Sequence, residues 1–351
     1  MLQNKRSAGR ILLWVIPLVF LLAFYFFPLG KIAGLSITRW LEGGLSGWNW
    51  PIILNAVGFT FFQAVLSTLL TILLGVPAAY LFGRFQFKGK EFLRVASTLP
   101  FILPTVVVAA AFNALIGQNG WLNLFLVDVF HLAQPPIVLQ NSLSTILLAH
   151  VFYNVSIVIR VLATAWEGVD VRLENAARTL GASPVQVFRR VTLPLLTPSL
   201  ISAFLLVFLF DFTSFGVILM MGGPRFTTLE VEIYIQTMQF LNLPLASLLS
   251  LLQLTFSMLI TWAIIGSGRE LSVPVMPRVK QENMRKPRKP REKFFVFTMS
   301  AILIVLLVLP LAALVAKALL VGGGAAADTG GWRVSLQYFR ELFVNRRESI
   351  F

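Results

Sequence analysis

The chain has 351 residues, of which 57% are hydrophobic and 13% charged, and its mean hydropathy is +0.81. The surface of a soluble domain needs about a quarter charged residues, so a water-soluble enzyme is excluded. Lys and Arg number 29 against 15 Asp and Glu, for a net charge of +14, and cysteine is absent. Disulfides, thiolate metal sites and cysteine nucleophiles are therefore excluded together. The two histidines, His131 and His150, are too few and too far apart for a metal-binding cluster.

A membrane-crossing helix needs about 20 mostly apolar residues, because unpaired backbone groups are not tolerated in hydrocarbon. Seven stretches qualify: Ile11–Gly30, Leu54–Phe82, Val95–Ile116, Leu143–Ala165, Ser199–Met221, Leu245–Ile265 and Phe294–Leu320. Lys5, Arg6 and Arg10 precede the first stretch, as in a signal peptide, but it is too long for one and lacks a small-residue cleavage site. It is read as a span.

Counting Lys and Arg between spans orients the chain. With the N-terminus inside, the inner segments 1–10, 83–94, 166–198 and 266–293 carry 20, and the three closed outer loops carry 3. Positive charge stays on the cytoplasmic side, so the N-terminus is expected there and the C-terminal tail outside. The basic run Arg278–Lys293, broken by Pro287 and Pro290, could be taken for a nucleic-acid patch. Between two spans it reads as an extended cytoplasmic linker, and no nucleic-acid partner is expected.

The cytoplasmic segment 167–198 differs from the other loops. Leu173, Ala176, Ala177 and Leu180 recur at i, i+3, i+4 and i+7, forming one narrow apolar helix face. Asp170 is suited to cap its start, and Gly181 to end it in the left-handed conformation. Ser183, Pro184 and Gln186 then predict a second helix opened by a capping box. A membrane-surface helix would show bulkier residues than two alanines, so a docking site for another protein is the better reading.

These residues resemble the permease subunits of binding-protein-dependent ATP-binding-cassette importers. The cytoplasmic signature of that family is E-A-A-x-x-x-G, nine residues, then I-x-L-P. Ala176, Ala177 and Gly181 hold the first part, and Val191, Leu193 and Pro194 the second. Asn175 occupies the glutamate position, and Glu174 stands one residue earlier, about 100° around the helix. Its replacement by alanine is therefore expected to have the milder effect. The runs from Asn55 to Tyr80, from Leu99 to Pro104 and from Asp211 to Gly216 also resemble the family's transmembrane core. The stretch Gly222–Tyr234 is most similar to the two-halved permeases for thiamine and ferric iron.

The resemblance implies an all-α, polytopic helical membrane protein of about seven spans, in a prokaryotic inner or plasma membrane. It implies an external solute-binding protein and a separate cytoplasmic ATPase, with a thiamine- or ferric-iron-type solute. Leu173, Glu174, Asn175, Ala176, Ala177, Leu180, Gly181, Leu193 and Pro194 would form the ATPase-coupling site. No cofactor of its own is expected. The stretch Gly83 to Glu91 fails as a phosphate-binding loop, with one residue too many between its glycines and Glu91 where Ser or Thr must bind magnesium.

Other residues have competing readings. Asp211, near the middle of the expected fifth span, suits either a translocation path or a helix–helix hydrogen bond, with His150 and Asn154 as candidate partners. Arg160 and Lys317 are expected to snorkel, Pro77, Pro100 and Pro104 to kink their helices, and Trp40, Trp48 and Trp50 to sit near the outer interface with lipid. An ion-coupled transporter would carry more intramembrane charge, and an intramembrane enzyme would need a nucleophile motif that is missing.

The organisation expected is a first helix and outer loop (1–50), a core unit (51–268), a basic linker (269–293) and the start of a second repeat (294–351). Leu309-Pro310-Leu311 with Lys317 echoes Phe27-Pro28-Leu29 with Lys31, and Trp332 echoes the tryptophans of the first outer loop. The chain is thus expected to be the first part of a two-halved permease that needs a second half or subunit.

Overall fold

The computed structural model describes residues 14–139, 141–223, 225–269, 284–321 and 333–343. The part of the basic linker from 270 to 283 and the echo at Trp332 lie outside the described residues. Among the described residues, seven helices are long and apolar enough to cross a membrane. In chain order the helices are α1 (Trp14–Gly47), α2 (Trp50–Arg84), α3 (Lys90–Ile102), α4 (Thr105–Ile116), α5 (Trp121–Phe130), α6 (Leu143–Gly168) and α7 (Val171–Thr179). They continue with α8 (Pro184–Phe212), α9 (Gly216–Met221), α10 (Leu229–Met238), α11 (Leu243–Arg269), α12 (Pro290–Leu319) and α13 (Gln337–Phe343). A two-strand antiparallel ladder, β1 (Leu320–Val321) with β2 (Arg333–Val334), follows α12.

Two stretches differ from the hydropathy reading. The apolar run expected to span from Val95 to Ile116 is interrupted: Leu103 is extended (φ −75°, ψ 136°) and Pro104 precedes α4. A residue before proline is pushed out of the helical region, which hydropathy cannot register. The membrane-crossing length is made instead by α4 and α5 together, over Thr105–Phe130. The fifth span starts at Pro184 rather than near Ser199, and it ends at Phe212.

Proline also explains three irregular turns. Five-residue π-turns occupy Leu22–Phe26, Phe188–Thr192 and Ile304–Val308. Each ends two residues before a proline: Pro28, Pro194 and Pro310. Proline cannot donate to the fourth residue back and its ring crowds that carbonyl, so a locally widened helix relieves the conflict. The echo between α1 and α12 thus extends to backbone geometry.

The chain divides into two compact units, Met1–Phe61 with Thr227–Leu259 and Phe62–Phe226 with Ile260–Phe351. In the first, Ser36 and Ser247 share a 2.7 Å hydrogen bond, and Thr60 accepts the Leu229 amide at 2.9 Å. The apolar window of α1 has no buried residue. In the second, α2 approaches α6 closely through glycines, because a side chain at Gly75 would collide with Val158 and one at Gly83 with Trp166. Helix α12 lies against α4 and α5, burying Leu303, Leu307 and Pro310, with the Trp121 indole donating to Ala313 O at 3.1 Å.

Candidate coupling site and buried polar cluster

The segment after α6 folds by local capping. Asp170 accepts the Arg172 amide at 2.9 Å and opens α7. At the other end Gly181 has φ +84°, its amide bonds to Arg178 O, and the Ala182 amide bonds to Ala177 O. This pair of bonds closes a helix around a left-handed residue, and glycine adopts that conformation without a Cβ penalty. The Ser183 hydroxyl accepts the Gln186 amide at 3.3 Å, while Gln186 Oε1 accepts the Ser183 amide at 2.8 Å. The reciprocal box starts α8, with Pro184 at its first position.

The apolar face is presented outward. Leu180 is 89% exposed, Val185 66% and Leu173 51%. Ala176 and Asn175 are exposed, as is Pro194, while Ala177 and Leu193 are half-buried. No residue of α7 is buried. Leu173 and Leu180 are thus left exposed on a short helix capped at both ends.

Glu174 points the other way. Its Oε1 accepts from Arg84 Nη2 at 2.7 Å and from the Thr192 hydroxyl at 2.9 Å. The two charged side chains are only 6% and 14% exposed. Arg84 also reaches Val169 O at 3.4 Å. Arg84 and Thr192 are not apparent from the local pattern, since Arg84 lies 90 residues from Glu174 in sequence. Around this pair is a cavity of about 530 Å³ lined by Pro77, Tyr80, Trp166, Asn175, Phe188 and Phe295 among others.

The end of α2 is further secured by Lys90. Its Nζ donates to Phe82 O at 2.7 Å and Phe85 O at 2.9 Å, two carbonyls at the end of that helix. Burial, and secondarily the nearby Arg94, holds its ammonium pKa below the ordinary value. The basic linker itself returns here: Gln86 N donates to Arg285 O, Arg285 N to Arg84 O, both at 3.0 Å.

A second set of sequence candidates converges elsewhere. Asp211 is completely buried. Asn154 Nδ2 donates to its Oδ1 at 2.7 Å, the Thr68 hydroxyl lies 3.2 Å from Oδ2, and His150 Nδ1 lies 3.6 Å from Oδ1. The imidazole is 2.9 Å from Ser67 Oγ and 2.8 Å from Ser214 Oγ, and Gln63 donates to Asp211 O at 2.8 Å. Asp211 is not mid-helix as the apolar run suggests. It is the last residue but one of α8, just before the break at Thr213–Phe215. Gln63, Ser67 and Thr68 join from α2, where Thr60, Gln63, Ser67, Thr68 and Thr71 are all buried. Their spacing of three to four residues in an apolar run was a readable sign of one polar helix face.

Multiple apolar spans, two of them joined by this capped helical loop, define a polytopic helical membrane protein. Residues 72–321 match the family described as binding-protein-dependent transport system inner membrane component, and the chain belongs to that family. It is a multi-pass protein of the inner membrane. The chain is 31% identical over 264 residues to the thiamine transport system permease protein ThiP of Brucella abortus (strain 2308), covering 74% of this chain and 48% of that protein. A probable molybdenum permease of Haloferax volcanii is 32% identical over 216 residues, covering 61% of this chain and 75% of that protein. A probable sulfate permease, cysT, of Prototheca wickerhamii is 35% identical over 173 residues, covering 49% and 66%. The chain spans about half the length of the thiamine permeases it matches. In structure it is similar to a chain of a bacterial alginate transporter crystallised with its alginate-bound periplasmic protein, with TM-score 0.60 and 17% identity, covering 77% of this chain and 97% of that one.

Proposed function

We propose that this chain is a translocating part of an ATP-driven importer, and that α7 with the start of α8 is where a separate ATPase docks. The observation that carries this reading is the capped, outward-facing apolar helix between the fourth and fifth spans of a family member. An external binding protein would deliver the solute and the ATPase would supply the energy, so the chain itself performs no hydrolysis. A two-state membrane unit then moves between openings to either side as the ATPase closes on nucleotide.

The solute we propose is small and of the thiamine or ferric-iron type. Similarity to thiamine permeases over 74% of the chain favours the former. A second permease half, in this chain or another, completes the pathway. The shared π-turn and proline of α1 and α12 support a repeat, and the unburied apolar window of α1 supports a missing neighbour. Orientation follows the charge count, with α7 cytoplasmic.

The test is co-purification. The permease should bring down an ATPase encoded beside it, and the accompanying binding protein should gain thermal stability with thiamine or ferric iron. Failure of any ATPase to co-purify would remove the docking reading. Stabilisation by sulfate or molybdate alone would replace the solute assignment.

A further inference from the structure

We infer that the Arg84–Glu174 pair is the strut that carries movement of the docking helix into the membrane, a role resting on the proposed docking of an ATPase at α7. Helix α7 fully buries none of its nine residues and, of the apolar ones, half-buries only Val171 and Ala177, so apolar packing contributes little to holding it. Much of the space behind it is the 530 Å³ cavity. Across that gap one carboxylate oxygen, Glu174 Oε1, is bonded at once to the end of α2 through Arg84 and to α8 through Thr192. Through Arg84 the segment ahead of α7 joins too, at Val169 O.

A largely dry charge pair of this kind resists separation far more than a surface pair, because water cannot replace either partner cheaply. Its direction also matters. Arg84 is the last residue of α2, and the helix is continuous back to Thr68 and Gln63, with Pro77 inside it. The 16 residues between Arg84 and Thr68 span about 24 Å at the α-helical rise. At the far end, Thr68 and Gln63 hold Asp211, beside the break that ends α8. A push on α7 therefore reaches the end of one continuous helix, and through it a hydrogen-bonded joint further along. Glu174, rather than Asn175 at the signature's glutamate position, is then the positioning residue, and its loss should have a larger effect than the sequence alone suggests.

The experiment uses the absence of cysteine from the native chain. Spin labels at Thr179→Cys, exposed on α7 but off its apolar face, and at Leu73→Cys are placed on the permease bound to its cognate ATPase in lipid nanodiscs, with and without ATP and magnesium. With Glu174 present the distance should stay single and narrow in both states, because α7 and α2 move together. In Glu174→Ala, and to a lesser degree in Glu174→Gln, which keeps an acceptor for Thr192, the narrow distance should be lost on nucleotide addition while the ATPase stays bound. The exchanged pair Arg84→Glu with Glu174→Arg should restore it. A narrow, nucleotide-independent distance in Glu174→Ala with ATPase bound, or an exchanged pair as disordered as the single variant, would overturn the strut. Failure of the unsubstituted permease to bind ATPase would instead overturn the docking reading.

Discussion

The docking segment and the buried polar cluster invert the usual distribution of side chains in opposite ways. Helix α7 and the start of α8 leave Leu173, Leu180 and Val185 exposed, whereas Asp211, His150 and Asn154 are hidden among apolar helices. Exposed leucines cost little while they await a partner, and the backbone beneath them is fully capped. Buried polar groups are costly unless every one is paired, and here each of the three has hydrogen-bonding neighbours. Under the proposed function the first region is covered by the ATPase, whereas the second finds its partners within the chain.

That contrast sets the order of expected effects. The largest belongs to the cluster. Asp211→Ala orphans the Asn154 amide and deprives Thr68 and His150 of a neighbour, each lost buried bond costing about 1–3 kcal/mol. Thermal unfolding in detergent should fall steeply, while Asp211→Asn, which keeps the shape, should lose much less. Equal melting of the alanine variant and the native chain would show that the cluster does not hold the helices together.

Gly181→Leu comes next. Nothing lies within 4 Å of a Cβ there, so the cost is the left-handed backbone alone, about 1–2 kcal/mol. The turn between α7 and α8 should reorganise and ATPase binding should fail, while membrane insertion persists. Gly181→Asn should retain part of the binding, since Asn tolerates this conformation. Leu180→Asp should leave melting unchanged because the side chain is 89% exposed, yet weaken ATPase affinity by about tenfold or more. A loss of stability with unaltered affinity would reverse the contrast.

A further effect is pH-dependent and lies outside the spans. Burial pushes the Glu230 carboxyl from its ordinary 4.5 up to about 7, partly offset by a hydrogen bond from Gln253. The folded state therefore holds this proton more tightly than the unfolded chain does. Its stabilising contribution is complete below pH 4.5 and is lost as pH rises through about 7. Melting temperature should decline over that interval in the native protein and decline less in Glu230→Gln. Identical pH profiles for the two would remove Glu230 from consideration.

Much of the docking segment was legible because it is made by local chemistry. Asp170, Gly181, Ser183 and Gln186 act on backbone groups a few residues away, and the structure places each cap where the spacing predicts it. The direction of Glu174 was not legible, because its partner is supplied by a helix 90 residues earlier. Apolar length identified the spans and misjudged two boundaries for different reasons. Pro104 breaks an apolar run that hydropathy treats as continuous, whereas Arg189 and Arg190 disguise a helix that continues through a π-turn into the membrane. The pairing of His150 and Asn154 with Asp211 followed from the rule that intramembrane charge seeks a polar neighbour. The contribution of Gln63, Ser67 and Thr68 required knowing which helix faces Asp211.

Cross-linking from single cysteines is the most direct measurement of docking at α7. Leu180→Cys and Leu173→Cys, each in the otherwise cysteine-free chain, are treated with a short bifunctional reagent in the purified permease–ATPase complex. Leu73→Cys, 72% exposed on a membrane-spanning helix, serves as the control. A docking helix predicts ATPase conjugates from positions 180 and 173 and none from 73. An intact complex in which neither α7 position reacts with the ATPase would contradict it.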